Sequence, residues 1–125
     1  MAFVFWLGQA LDSAGYSAIP AQNIRAANEL IRNHKLAVDI LVFDPVLPGV
    51  FGFITRLRQS RRHLRVVAAI PEEWADLPPM GGVDTWLHKP RRFSLMATLP
   101  WIKLVQGIYA AIPERRQKSP KPLKS

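Results

Sequence analysis

The stretch DILVFDPVLPGVFG, from Asp39 to Gly52, decides the fold class of this chain. The apolar run Ile40–Phe43 is typical of a buried parallel strand, and Asp44 ends it. Pro48 and Gly49 then break the chain, and the last glycine of the stretch opens an amphipathic helical pattern. Open α/β sheets place their chemistry beyond the carboxyl ends of their strands, so Asp44 is the first candidate for a functional side chain.

Helical and strand patterns alternate along the chain. The predicted helices are Met1–Ala14, Asn23–Asn33, Gly52–Ser60 and Phe93–Tyr109, with Pro100 kinking or dividing the last one. The predicted strands are Tyr16–Pro20, Asp39–Asp44, Leu64–Ile70 and Val83–Leu87. Between the last two strands, Pro78 and Pro79 allow at most one helical turn, around Trp74. This alternation predicts an α/β fold in which a parallel sheet carries helices on both faces.

The basic excess lies at the carboxyl end of the chain. Residues 1–90 hold nine Lys and Arg against eight Asp and Glu, whereas residues 91–125 hold eight against Glu114 alone. We therefore predict a domain at 1–112 and a disordered basic tail at 113–125. A solvated tail without a partner is the simpler interpretation, and charge-driven contact with nucleic acid or an acidic partner is the other.

Cysteine is absent, which excludes disulfides, thiolate chemistry and Cys-ligated metal sites and fits a reducing compartment. Met1–Leu11 is apolar apart from Gln9, but a bilayer span needs roughly 20 residues. The same segment lacks the basic n-region of a signal peptide. We therefore expect a cytoplasmic protein with no membrane partner.

Three anchors along the chain resemble the receiver domain of bacterial two-component response regulators. Gly15-Tyr16 is similar to the end of that family's first helix, and Asp44 with Pro48 and Gly52 looks like its phosphoacceptor loop. Gly82–Pro90 looks like its fifth strand with the lysine–proline ending. The resemblance covers about two-thirds of the chain, and it implies a flavodoxin-like, three-layer α/β/α fold.

The resemblance also implies a role for particular residues. Asp44 would accept a phosphoryl group from a histidine kinase, and Lys89 would offset the charge of that group. The backbone carbonyl of Val46 would join Asp44 as a ligand of Mg²⁺. Trp86 would be the aromatic switch that turns inward on phosphorylation, and Pro90 would follow a cis peptide bond.

This sequence departs from the family pattern in three places. The family's first strand and the acidic pair that ends it would fall before Met1, so they are absent unless Met1 is an internal methionine. Ile70 or Ala69 stands where the family has a Ser or Thr hydroxyl, and the fourth helix is shortened by the two prolines. One Asp and one carbonyl make an incomplete Mg²⁺ site.

We therefore predict a degenerate or truncated receiver, not an enzyme, that acts through protein–protein interaction with reduced or absent phosphorylation of Asp44. Its partner would be a histidine kinase or another signalling protein, with a homodimer as a further option. The candidate dimer seam, for which core packing is the alternative, comprises Trp101, Ile102, Val105 and Tyr109. The alternative function is a small basic nucleic-acid-associated protein that uses the tail and an arginine patch comprising Arg56, Arg58, Arg61, Arg62 and Arg65.

Overall fold

A computed structural model describes residues 2–76 and 80–111 of the chain. Its helices are α1 (Ala2–Ser13), α2 (Ile24–His34), α3 (Val50–Ser60) and α4 (Leu99–Ala110), and a 3-10 turn at Met96–Thr98 precedes α4. Its strands are β1 (Ile40–Phe43), β2 (Arg65–Ile70) and β3 (Thr85–His88). The chain divides into two compact units: the sheet unit, Ala21–Arg91, and the helical unit, Met1–Pro20 with the chain from Arg92 onward.

The sheet unit is built on three parallel strands in the order β1-β2-β3. In the register of the sheet, Val67 of β2 lies between Val42 of β1 and Thr85 of β3. Because the strands run in one direction, Asp44 after β1 and Lys89 after β3 come to the same edge of the sheet. The predicted α/β fold with a parallel sheet is confirmed.

The core of the sheet unit lies on one face of the sheet, where α3 packs. Successive side chains of a strand point to opposite faces, so Val66, Ala68 and Ile70 share this face, and all three are fully buried. The side chains of Phe53, Ile54 and Leu57 reach this core from α3. Each such side chain contributes about 1.5–3 kcal/mol through burial, which fixes α3 against the sheet.

Capping residues set the ends of α2 close to the prediction. The Asn23 side chain accepts a hydrogen bond of 2.8 Å from the Ala26 N–H, as an N-cap does. At the other end Lys35 adopts a left-handed backbone with φ of 50°, and the Leu36 N–H donates to the Ile31 carbonyl. Local sequence therefore defines this helix before any packing does.

In the helical unit, aromatic rings pack between the two helices. Phe3 contacts Trp6 and Trp101, with ring centroids 5.8 and 5.4 Å apart, and Trp6 stacks on Phe93 at 5.3 Å. Tyr16, just after α1, stacks on Tyr109 of α4. Burial raises the pKa of both tyrosines, and the charge of Tyr16 raises that of Tyr109 further.

The predicted strand at Tyr16–Pro20 is wrong: these residues form an irregular segment after Gly15. A strand is stable only when its backbone hydrogen bonds are satisfied by a neighbour, and the three-stranded sheet of the described residues does not include this segment. The sheet therefore has three strands where the sequence predicted four.

The last helix begins later than predicted, so Pro100 falls at its start and not in its interior. Phe93 and Ser94 are irregular, and Pro100 lies in the first turn of α4, where its missing N–H costs no helical hydrogen bond. The Pro78-Pro79 break and the tail at 113–125 lie outside the described residues. The other predicted elements have the right type, with ends that differ by one or two residues.

Candidate functional site

Asp44 lies one residue beyond β1, and both of its carboxylate oxygens have partners. Oδ1 accepts a hydrogen bond of 3.0 Å from the Val46 N–H, and Oδ2 forms an ion pair with the Lys89 ammonium. The side chains of Asp44 and Lys89 are 29% and 24% exposed, so a small molecule in solution can still approach them. The structure thus brings together three of the four residues predicted for the site: Asp44, Val46 and Lys89.

The loop after Asp44 is a compact turn that leads directly into α3. The Leu47 N–H donates to the Asp44 carbonyl at 3.0 Å, and the Val50 N–H donates to the Leu47 carbonyl at 3.2 Å. Gly49 has φ of 77°, a backbone conformation that side-chain-bearing residues adopt only at a cost. The helix therefore begins at Val50, two residues before the predicted start at Gly52, with Gly49 as its N-cap.

Lys89 is held by its backbone as well as by its side chain. Its N–H donates a hydrogen bond of 2.8 Å to the carbonyl of Ile70, the last residue of β2. The lysine can therefore reach Asp44 across the end of the central strand. The peptide bond between Lys89 and Pro90 is trans, so the predicted cis bond is wrong, and the direction of Lys89 is fixed by the sheet hydrogen bond.

Trp86 lies on β3 and is 42% exposed, an outward position for a large aromatic side chain. Its ring meets the His88 ring edge to face, with centroids 5.2 Å apart. The His88 Nε2 is 3.1 Å from the carbonyl oxygen of Trp74, which ties β3 to the loop that follows β2. Trp86, the fourth residue predicted for the site, thus contacts His88.

The residues around Asp44 do not fit a Mg²⁺ site. Magnesium requires an octahedral set of oxygen ligands, usually with one or two carboxylates. No group of three or more His, Cys, Asp or Glu that could hold a metal occurs among residues 2–76 and 80–111. Among the described residues, the carboxylate of Asp44 already has Lys89 on Oδ2 and the Val46 N–H on Oδ1.

At the amino end of the same sheet lies a second ion pair, which the sequence reasoning missed. Asp84 Oδ2 accepts hydrogen bonds of 2.8 Å from Arg58 Nη2 and from the backbone N–H of Val66. The Asp84 N–H in turn donates to the Val66 carbonyl at 2.9 Å. The sequence did contain a signal for this pair: Asp84 directly precedes a strand, and Arg58 lies on the helix before the central strand.

The predicted arginine patch is partly used by contacts within the chain. Arg58 pairs with Asp84, and Arg61 donates to the Leu36 carbonyl at 2.8 Å. Arg56 and Arg62 remain exposed. A nucleic-acid function based on the patch stays a prediction, with fewer free cations than the sequence suggested.

For two of the four candidate seam residues, the alternative of core packing is confirmed. Trp101 and Val105 are 2% and 3% exposed and belong to the buried core. The exposed large apolar side chains of this region precede or begin the helix: Phe93, Leu95, Met96 and Leu99.

In the described part of the chain, no helix has the length and apolar character that a membrane crossing needs.

Comparison with solved structures identifies the fold. The signal receiver domain of a protein named as a LuxO repressor from Vibrio parahaemolyticus matches with a TM-score of 0.64 and 17% identity, over 94% of this chain and 90% of its own. The chain has the receiver-domain fold. This confirms the flavodoxin-like α/β class predicted from the sequence.

Two further receiver structures agree with this identification. HP1043, an orphan response regulator of Helicobacter pylori, matches with a TM-score of 0.59 and 14% identity, over 83% of this chain and 84% of its own. A response regulator receiver domain protein from Clostridium thermocellum matches at 0.55 and 12%, over 86% and 90%. No family model and no curated protein matches the sequence. At these identities the likeness establishes the fold and leaves the function to the residues.

Proposed function

We propose that this chain is a receiver-like signalling module that acts mainly through protein–protein contact, with phosphorylation of Asp44 reduced or absent. The receiver-domain fold supports a signalling role, and the position of Asp44 at the carboxyl end of the sheet supports this edge as its functional site. The observation that carries the proposal is the Asp44 carboxylate, whose two oxygens are bound by Val46 and Lys89.

The charges around Asp44 explain why phosphorylation would be weak. Phosphoryl transfer relies on cations to neutralise the charge that spreads over the transferred group, and among residues 2–76 and 80–111 Lys89 alone forms an ion pair with Asp44. The end of β2 offers the aliphatic side chain of Ile70, which cannot donate a hydrogen bond to a phosphoryl oxygen. A carboxylate with one cation and no hydroxyl partner would react slowly.

Contact with a partner would then be the main output of the module. A histidine kinase or another signalling protein is the partner class that the receiver fold supports, with a homodimer as a further option. Trp86 would mark the contact face, because a 42% exposed tryptophan on an edge strand offers a large apolar anchor. The absence of cysteine supports a reducing, cytoplasmic setting.

The direct test is incubation of the full chain with acetyl phosphate and Mg²⁺, followed by intact-mass measurement. We expect little or no phosphoryl adduct on the unmodified chain and no change in Trp86 emission, read against Trp86→Phe. An adduct on most molecules would contradict the proposal if it is lost in Asp44→Asn. Asp76→Asn is the control, because Asp76 is an exposed acid in the loop that follows β2.

A further inference from the structure

The turn that leads into α4 holds large apolar side chains in solvent. Leu95 and Met96 are 86% and 74% exposed, and Phe93 and Leu99 are 45% and 49% exposed. Isolated exposed apolar residues are common on proteins, but four within seven consecutive positions make a patch. Patches of this kind mark places where a protein meets another surface.

Hydrogen bonds fix this turn in place. The Thr98 hydroxyl donates to the Leu95 carbonyl at 2.6 Å, and the Ala97 N–H donates to the Ser94 hydroxyl at 3.2 Å. Phe93 is anchored by its stacking on Trp6. Leu95 and Met96 are therefore presented to solvent by an ordered structure.

The charged residues of the segment that holds the patch, from Arg92 to Lys103, are all basic. Arg92 precedes it and Lys103 follows one helical turn after Leu99, and both are exposed. Asp12, at the end of α1, is the one acidic residue among residues 2–20 and 92–111. The sequence beyond α4, from 112 to 125, adds five Lys and Arg against Glu114. Two copies of this chain would bring like charges together, so an anionic surface is the complementary occupant.

We propose that the segment from Arg92 to Lys103 is an attachment site for an anionic lipid surface. Leu95 and Met96 would enter the headgroup region, and Arg92 and Lys103 would contact lipid phosphates. A projecting turn needs no preformed pocket to enter a lipid interface, whereas a protein partner would have to supply one. Attachment to a lipid surface needs no segment long enough to span the bilayer.

The test is cosedimentation of the full chain with vesicles of phosphatidylcholine alone or mixed with phosphatidylserine. We expect binding to the mixed vesicles, weaker binding to phosphatidylcholine, and loss at high salt because exposed charges are then screened. The double variant Leu95→Ser/Met96→Ser keeps every charge, so its partition coefficient should fall by more than about tenfold if the side chains are buried in lipid.

The matched control is Phe5→Ser/Ile19→Ser, which removes two exposed apolar side chains outside the segment from Arg92 to Lys103 and should bind as the unmodified chain does. Circular dichroism verifies that both double variants are folded. Absence of binding to the mixed vesicles overturns the proposal, and so does equal binding by the Leu95/Met96 variant, which would assign the effect to charge alone. Concentration-dependent dimers that this variant abolishes, without vesicle binding, would assign the patch to self-association.

Discussion

An ion pair at each end of the sheet, Arg58–Asp84 at the amino end and Lys89–Asp44 at the carboxyl end, can be compared by what else its carboxylate binds. Asp84, at the amino end, binds Arg58 and also the backbone N–H of fully buried Val66. Asp44, at the carboxyl end, binds Lys89 and the N–H of exposed Val46. Their side chains are similarly exposed, at 34% and 29%. Exposure alone therefore does not distinguish the two pairs.

The difference lies in what would be left unpaired if each carboxylate were removed. At the amino end, removal strands a buried backbone N–H together with the Arg58 guanidinium, whose Nε is already buried without a partner. At the carboxyl end, water can reach the groups that Asp44 contacts. The amino-end pair thus stabilises the fold, whereas the carboxyl-end pair can be opened at small cost, as a functional site requires.

The largest effect is expected for Asp84→Ala. The free energy of unfolding should fall by about 2–3 kcal/mol, because the Val66 N–H loses its acceptor and Arg58 its partner. Urea unfolding followed by circular dichroism measures the change. Asp76→Ala, at an exposed acid in the loop after β2, should change stability by less than about 0.5 kcal/mol. Equal effects of the two variants would contradict the claim that the amino-end pair stabilises the fold.

A smaller effect is expected for Gly49→Ala, which tests the loop that carries Asp44. Its φ of 77° makes an alanine cost about 1 kcal/mol, although a Cβ there would meet nothing within 4 Å. The matched control is Gly107→Ala inside α4, where a Cβ also has open space. That change should stabilise the protein by roughly 0.5–1 kcal/mol. If both variants changed the free energy of unfolding in the same direction, the loop conformation at Gly49 would not be fixed.

The smallest effect is expected for Lys89→Met. Stability should fall by about 0.5–1 kcal/mol at low salt and by less at high salt, because the partly exposed pair is screened. Urea unfolding at two salt concentrations provides the measurement, with Arg62→Met as the exposed control. A loss as large as that of Asp84→Ala would mean that the two ends of the sheet are equally structural.

The candidate site was predictable where its residues follow strands. Asp44 directly follows the apolar run of β1 and Lys89 directly follows β3, so the parallel direction of the strands brings both to the same end of the sheet. The ion pair between them depends on the distance between two segments that lie 45 residues apart in the sequence. No local pattern contains that distance.

Hydrophobic periodicity gave wrong predictions where the structure of a segment depends on a neighbouring segment. Tyr16–Pro20 has a strand-like composition, but a strand forms only beside another strand. For Trp101 and Val105 the sequence left a dimer seam and core packing both open, because a helix that is apolar all round does not indicate which side is buried. Packing of α4 within the helical unit decided that question and left the patch from Phe93 to Leu99 in solvent.

By itself, the sequence determined the α/β class, the types of most elements and the position of Asp44 at the end of a strand. These follow from local periodicity, turn residues and capping, which act over a few neighbouring positions. The tertiary structure alone decided that Asp44 is held by Lys89, that Asp84 holds Arg58, and that Leu95 and Met96 face solvent. Each of these results depends on which distant segments meet, and that is set by the packing of the whole chain.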